Sequence, residues 1–198
     1  MKTTYQMLLT AVLLIGAVGL TAQNTFGVSE CSIKINGTSS LHDWTSTAED
    51  VSGTAKLDVA NQTLKAIKAL TVRIKSEGVK SEKGRIMDNK THKALAADDH
   101  KYITYALTNA SITQQNEQKV TVRTTGALTI AGQTKTITMD VTGTKKNGSI
   151  QFTGSKALKM TDFGIDPPTA MLGTLKTGDD ITIDFSLTLK TNTSDSSR

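Results

Sequence analysis

One cysteine, Cys31, is all the chain contains, so no internal disulfide can staple it, and stability has to come from a packed core. Two prolines, Pro167 and Pro168, stand side by side, and nowhere else does a missing N–H force the backbone out of a strand or helix. The three histidines, His42, His92 and His100, match no zinc-ligand spacing, so no metal or other cofactor is expected. Aromatic residues are scarce: one Trp, three Tyr and four Phe. Setting aside Tyr5 in the N-terminal segment leaves seven, and they form no girdles of the kind that flank the lipid band of an outer-membrane barrel. Basic residues outnumber acidic ones by 23 to 18, yet the two signs are interspersed without a basic block, which argues against a nucleic-acid surface. A Gly-x-Ser-x-Gly nucleophile elbow is also missing.

A long apolar run occurs once, from Met7 to Leu20, behind the single charge of Lys2. It is shorter than the ~20 residues of a membrane-spanning helix, and Gly16 and Gly19 interrupt it. Followed by Leu20-Thr21-Ala22, it reads as a secretion signal over residues 1–22, with cleavage after Ala22. Gln23, not cysteine, would then come first, so no lipoprotein anchor and no membrane span would remain. The expected product keeps 22 Lys and Arg against 18 Asp and Glu, a net +4, and is the size of one domain over residues 23–190. A periplasmic or secreted location follows from the signal.

From residue 24 onward apolar side chains recur at a spacing of two, the period of a strand with one buried and one wet face. Ile33 and Ile35 share a face, as do Ala55, Leu57 and Val59, then Leu70, Val72 and Ile74, with Thr71, Arg73 and Lys75 between. Ile103, Tyr105 and Leu107 follow, then Val120 and Val122, Leu128 and Ile130. Ala131-Gly132-Gln133 is a short turn leading to Ile137, Met139 and Val141. Asn147-Gly148 is a second turn before Ile150 and Phe152, and the pattern closes on Ile181, Ile183, Phe185, Leu187 and Leu189. Roughly eight strands result. Their wet faces predict an antiparallel sheet closed on itself, and eight strands can enclose one small ligand.

Two stretches break the alternation. Residues 81–100 place Met87, Thr91 and Leu95 at helical spacing, with Asp88 as a candidate cap, which predicts a short helix over one barrel opening. Residues 161–178 read as an apolar loop at a barrel mouth, carrying Phe163, Ile165, Met171, Leu172 and Leu175. Residues 191–198 lack apolar content and are expected to be a disordered tail.

Three constellations invite catalytic or metal chemistry. His42-Asp43 beside Ser39 and Ser40 suggests a hydrolase, but neighbours on a strand point to opposite faces. A hydrogen-bonded corner with Trp44 as a core plug is the preferred reading. His92 and His100, with Asp98 and Asp99 nearby, are read as surface histidines. Asp162 and Asp166 flank Phe163-Gly164-Ile165, where carboxylates commonly accept backbone hydrogen bonds that hold a loop. No catalytic residue is nominated, and Cys31, without a basic neighbour, is read as an inert buried thiol.

Four stretches together resemble the YceI family of lipocalin-like periplasmic proteins. They are Gly37-Thr38-Ser39-Ser40-Leu41-His42-Asp43-Trp44-Thr45, in a form like that of Bacteroidetes-type members; Gly126 to Lys135; Thr161-Asp162-Phe163-Gly164-Ile165-Asp166-Pro167-Pro168; and Met87-Asp88 with Leu95 and Tyr102-Ile103 after it. The resemblance implies a mainly β fold, an eight-stranded antiparallel lipocalin-like barrel with a short covering helix. It also implies a polyisoprenoid or similar long lipid in the channel. The residues expected to hold such a ligand are Leu70, Val72, Ile74, Tyr105 and Leu107, then Val122, Leu128, Ile130, Ile137 and Met139. Phe152, Ile183 and Phe185 complete the strand faces; Met87 and Leu95 add the helix; Phe163, Ile165, Met171 and Leu172 add the loop. Two other readings compete: an enzyme acting on a lipid or ester through His42 with Asp162 or Asp166, and a filled barrel working through its outer surface. The sequence carries no signal for an oligomeric state.

Overall fold

The computed structural model describes residues 24–60, 63–146, 148–170 and 173–191. The expected signal segment, the tail beyond Thr191, Met171 and Leu172 lie outside the described residues. In chain order the elements are β1 (Asn24–Ser39), β2 (Trp44–Ala48), β3 (Val51–Ala60), β4 (Thr63–Lys75), β5 (Val79–Ser81), α1 (Arg85–Ala94) and β6 (Tyr102–Gln115). Then come β7 (Lys119–Ile130), β8 (Gln133–Lys146), β9 (Ser149–Lys159), β10 (Thr169–Ala170) and β11 (Leu175–Thr191).

Every pairing is antiparallel, and the pairing of β1 with β11 closes the sheet into a ring of β1, β3, β4, β6, β7, β8, β9 and β11. These are the eight strands of the barrel. Closure pairs the first and last long strands with each other, so that neither is left as a long free edge that could template aggregation. β2 and β5 extend the wall beyond the ring: β1 pairs with β3 through Asn24–Gly27 and with β2 through Lys34–Gly37, and β2 pairs in turn with β5. Sequence patterning missed these short strands, having read Trp44 as part of a corner.

Local chemistry explains the turns. Ala131 and Gly132 both take positive φ, 46° and 77°, and make the two-residue connection that joins β7 to β8 with Ile130 opposite Gln133. β7 is one continuous strand in which Val120, Val122, Thr124, Leu128 and Ile130 are all buried, so the two short apolar pairs seen in sequence belong to a single element. The expected helix forms, but Asp88 does not cap it. Gly84 at φ 80° precedes the first turn, and the Asp88 carboxylate accepts the Ser81 N–H at 2.7 Å, which ties α1 to β5. His92 does the same from the next turns, its Nε2–H donating to Val79 O at 2.9 Å.

The interior has two halves. One end is filled: Phe26, Leu57, Leu64, Val120, Val122, Ile150, Phe152 and Leu189 pack together, with Val120 and Val122 fully buried. The other end carries Leu128, Ile130, Ile137, Leu158, Met160, Phe163 and Ile165. Here the barrel wall is split, because β8 and β9 pair only from Thr142↔Thr153 to Lys146↔Ser149. Past that point Lys156 Nζ donates to Thr138 O at 2.9 Å, and Phe163 and Ile165 pack in the same cluster as Ile137 and Leu158.

The loop after β9 is therefore built into the wall. Its anchor is Asp179, whose carboxylate accepts from Thr161 N at 2.9 Å and Thr161 Oγ1 at 2.7 Å, while Asp179 O accepts from Met160 N. Asp162 and Asp166, expected to hold this loop, are exposed instead. The loop is also shorter than expected, since β11 begins at Leu175 and pairs there with β10. Thr191, assigned by sequence to the tail, still pairs with Phe26.

Candidate functional site

Between the filled end and α1 lie two apolar spaces. The outer one, of about 470 Å3, opens under α1. The deeper one, of about 130 Å3, runs toward the filled end, and Ile74 and Leu128 line both. The larger volume is in the range of about 300–1,000 Å3 typical of small-molecule sites.

Helix α1 is a roof rather than a core helix. Met87, Lys90, Thr91, Ala94 and Leu95, at i, i+3, i+4, i+7 and i+8, line the outer cavity on one face. None of its side chains is fully buried, because that face looks onto open space rather than packed atoms. From below, Ile74, Leu128, Ile130 and Ile183 line the same cavity, joined by Phe163 and Ile165 from the loop. The deep cavity takes Leu70, Val72, Tyr105, Leu107, Ile137 and Met139, with Phe152 and Phe185 toward the filled end. Of the described residues nominated from sequence, only Val122 lines neither space: it is fully buried, packed into the filled end where the barrel has no room.

Several lining residues were not nominated. Cys31, Ile33 and Leu187 face the deep cavity from β1 and β11, although the period-two pattern had already placed Ile33 and Leu187 on inner faces. Cys31 is only half-buried, and desolvation pushes its thiol up to about 11. Trp44, Ser46 and Ala48 reach the outer cavity from β2. Trp44 is not a core plug: half-buried, it lies across Gly37, where any Cβ would collide with the indole, and its Nε1–H donates to Thr38 O at 3.0 Å.

Tyr105 is the polar exception in the deep cavity. Its ring covers Gly126, where an added Cβ would come within 2.5 Å of the phenol carbons. The hydroxyl is buried and has no hydrogen-bond partner among the described residues. Burial raises its pKa; the neighbouring Thr124 hydroxyl offsets this in part but spends its own proton on Met139 O at 3.1 Å.

The hydroxyl, imidazole and carboxylates considered for hydrolysis do not form a reacting set. Ser39 Oγ donates to His42 O at 2.7 Å and accepts from Leu41 N and His42 N, a local side-chain turn that meets the His42 backbone rather than its ring. His42 and Asp43 sit in the connection between β1 and β2, not on a strand as expected, and His42 Nδ1 donates to Asp43 O at 2.7 Å. His42 lines the outer cavity, whereas Asp162 and Asp166 do not. His100 packs against the Gly132 turn, remote in role from His92. Among the described residues no three His, Cys, Asp or Glu side chains gather closely enough to hold a metal ion. None of the described helices is long and apolar enough to cross a membrane.

A closed antiparallel barrel of eight strands, filled at one end and hollow beneath a helix at the other, is a lipocalin-like barrel, a class whose interior has room for one small ligand. The chain belongs to the YceI-like domain family, whose sequence model matches residues 22–189. Solved structures share the fold at low identity. BcnA of Burkholderia cenocepacia aligns at 16% identity and a TM-score of 0.63, over 80% of this chain and 95% of its own. A polyisoprenoid binding domain from Saccharophagus degradans, implicated in plant cell wall breakdown, aligns at 11% and 0.65, over 85% of this chain and 99% of its own. The Campylobacter jejuni YceI protein aligns at 24% and 0.56, over 72% and 82%. No curated protein matches the sequence.

Proposed function

We propose that this protein is an exported binding protein that holds one long apolar ligand, a polyisoprenoid or fatty-acyl compound, in its barrel. The observation that carries this reading is the pair of adjoining cavities that share Ile74 and Leu128. The outer one opens beneath α1 and the deeper one reaches toward the filled end, so that set end to end they offer an elongated space, apolar in its depth. A chain-like ligand suits such a shape better than a compact polar solute. Burying each methylene contributes about 0.8 kcal/mol, so roughly five to nineteen are needed to offset the roughly 4–15 kcal/mol cost of association. The polyisoprenoid-binding description of the Saccharophagus degradans domain supports the same ligand class.

The ligand contacts assigned here are the cavity-lining side chains Leu70, Val72, Tyr105, Leu107, Ile137 and Met139 in the depth, with Met87, Leu95, Phe163 and Ile165 at the mouth. Native mass spectrometry of protein purified without detergent is the direct test: a co-purifying lipid that leaves on organic extraction is expected, and an empty protein that takes up no long-chain lipid would refute the reading. Export rests on the residues 1–22 pattern. Mature protein should begin at Gln23, and membrane-retained material beginning at Met1 would refute a soluble exported form.

A further inference from the structure

The outer cavity is not electrically neutral at its rim. Lys83, Lys90 and Lys176 line it together with His42, and among the described residues no Asp or Glu does. They come from three separate places: the turn before α1, α1 itself, and the start of β11. Lys90 is the most telling, because it falls within the cavity-facing stripe of α1, between Met87 and Thr91, where a helix roofing a purely apolar site would carry an apolar residue.

Nearby acids do not neutralise these cations. The ion pairs among the described residues belong to Lys75, Arg123 and Lys159, none of them at the rim. Asp88 is engaged with the Ser81 N–H, and Asp43, Glu82 and Asp166 are exposed and off the cavity wall. Deeper in, the lining has no charged side chain at all. Charge is thus confined to one end of the channel and is of one sign.

We infer that the mouth receives an anionic head group, so that the preferred ligand is an amphiphile with a carboxylate or phosphate on a single long apolar chain. This rests on the lipid-binding reading above and refines it. The chain fills the interior while the head accepts hydrogen bonds from ammonium groups that have no ion-pair partner among the described residues. A neutral head of the same length gains only the burial of its chain.

The test is displacement of a neutral fluorescent probe, N-phenyl-1-naphthylamine, by two matched pairs: laurate against dodecanol, and farnesyl phosphate against farnesol. Exposed charge pairs each shift an equilibrium by roughly 1.4- to 5-fold, so three should favour the anionic member of each pair by about tenfold. The preference should collapse between about 10 mM and 1 M salt, as the Debye length falls from about 30 Å to about 3 Å. In the triple variant Lys83→Gln, Lys90→Gln, Lys176→Gln the anionic members should lose their advantage over the matched alcohols, and a preference of undiminished size would overturn the proposal. Preference for one anionic head alone would identify carboxylate or phosphate as its source. Equal displacement by acid and alcohol in the wild type overturns the anionic head while leaving the lipid carrier intact. Failure of all four ligands to displace the probe removes the carrier reading itself. If the triple variant folds poorly, the salt titration of the wild type decides alone: a preference indifferent to salt overturns the proposal.

Discussion

Replacing Met139 with Trp separates a hollow barrel from a filled one. Met139 is half-buried on β8, opposite Thr124 of β7, and its side chain lines the deep cavity. Its neighbour Thr138 points outward, where its hydroxyl meets that of Thr125 at 3.0 Å. The cavity of about 130 Å3 is several times the ~30 Å3 share of a water molecule, so the larger ring has space to enter without displacing the wall. If the indole takes the room of about three or four methylenes of ligand, the lost burial is roughly 3 kcal/mol, or about a hundredfold in affinity. Measured on delipidated protein, so that loss of bound ligand does not itself lower it, the melting temperature should then stay within about 2 °C of wild type. In a filled interior the same change would overpack the core by about 1–3 kcal/mol, and the melting temperature would fall by roughly 2–12 °C with ligand content unaffected. Thr138→Trp should alter neither. Thermal melts and quantified bound lipid on the same three preparations decide it. A strongly destabilised Met139→Trp protein that still carries a full lipid load would refute the channel.

The remaining expectations follow from individual groups in the same barrel. Tyr105→Phe removes a buried hydroxyl that has no partner, so the melting temperature should hold or rise; a fall of more than about 2 °C would show that the hydroxyl is paired. With its thiol raised to about 11, Cys31 should alkylate about a hundredfold more slowly at pH 8 than an unburied thiol, speed up about tenfold per pH unit, and slow further when lipid fills the deep cavity. Rapid modification at neutral pH would contradict that placement. Asp179 has its carboxyl held below the ordinary range, first by the Thr161 backbone N–H and hydroxyl and then by Lys159. A depressed pKa in the folded state means the anchor's contribution is complete above the ordinary carboxylate pKa and is lost as pH falls through the lowered value. Hydrogen-exchange protection at Phe163 and Ile165, taken relative to the intrinsic rate at each pH, should accordingly fall in acid and in Asp179→Asn at neutral pH; unchanged protection in both would dismiss the anchor.

The two-residue period was enough to assign faces on nearly every barrel strand, because alternation is a local property of an extended backbone. It put Val72, Ile74, Tyr105, Ile137 and Phe185 inside before any strand was paired. The Met87–Leu95 stripe likewise announced a helix with one apolar face. Other features depend on pairs far apart in sequence. Val122 and Met139 share the same inward alternation, yet one is locked in a solid end and the other borders a void, since occupancy is set by what the opposite wall supplies. Asp179 rather than Asp162 holds the loop because 18 residues of chain return it to Thr161. Trp44 lies at the mouth because β2 continues the wall past β3. The rim lysines look like ordinary wet-face residues along the chain, and only closure of β1 on β11 with α1 laid across the opening gathers them around one cavity. Sequence alone thus determined which side chains turn inward and that the sheet should close. Tertiary structure decided where the interior is hollow and which charges surround its entrance, for packing and electrostatics are summed over neighbours that the linear order does not contain.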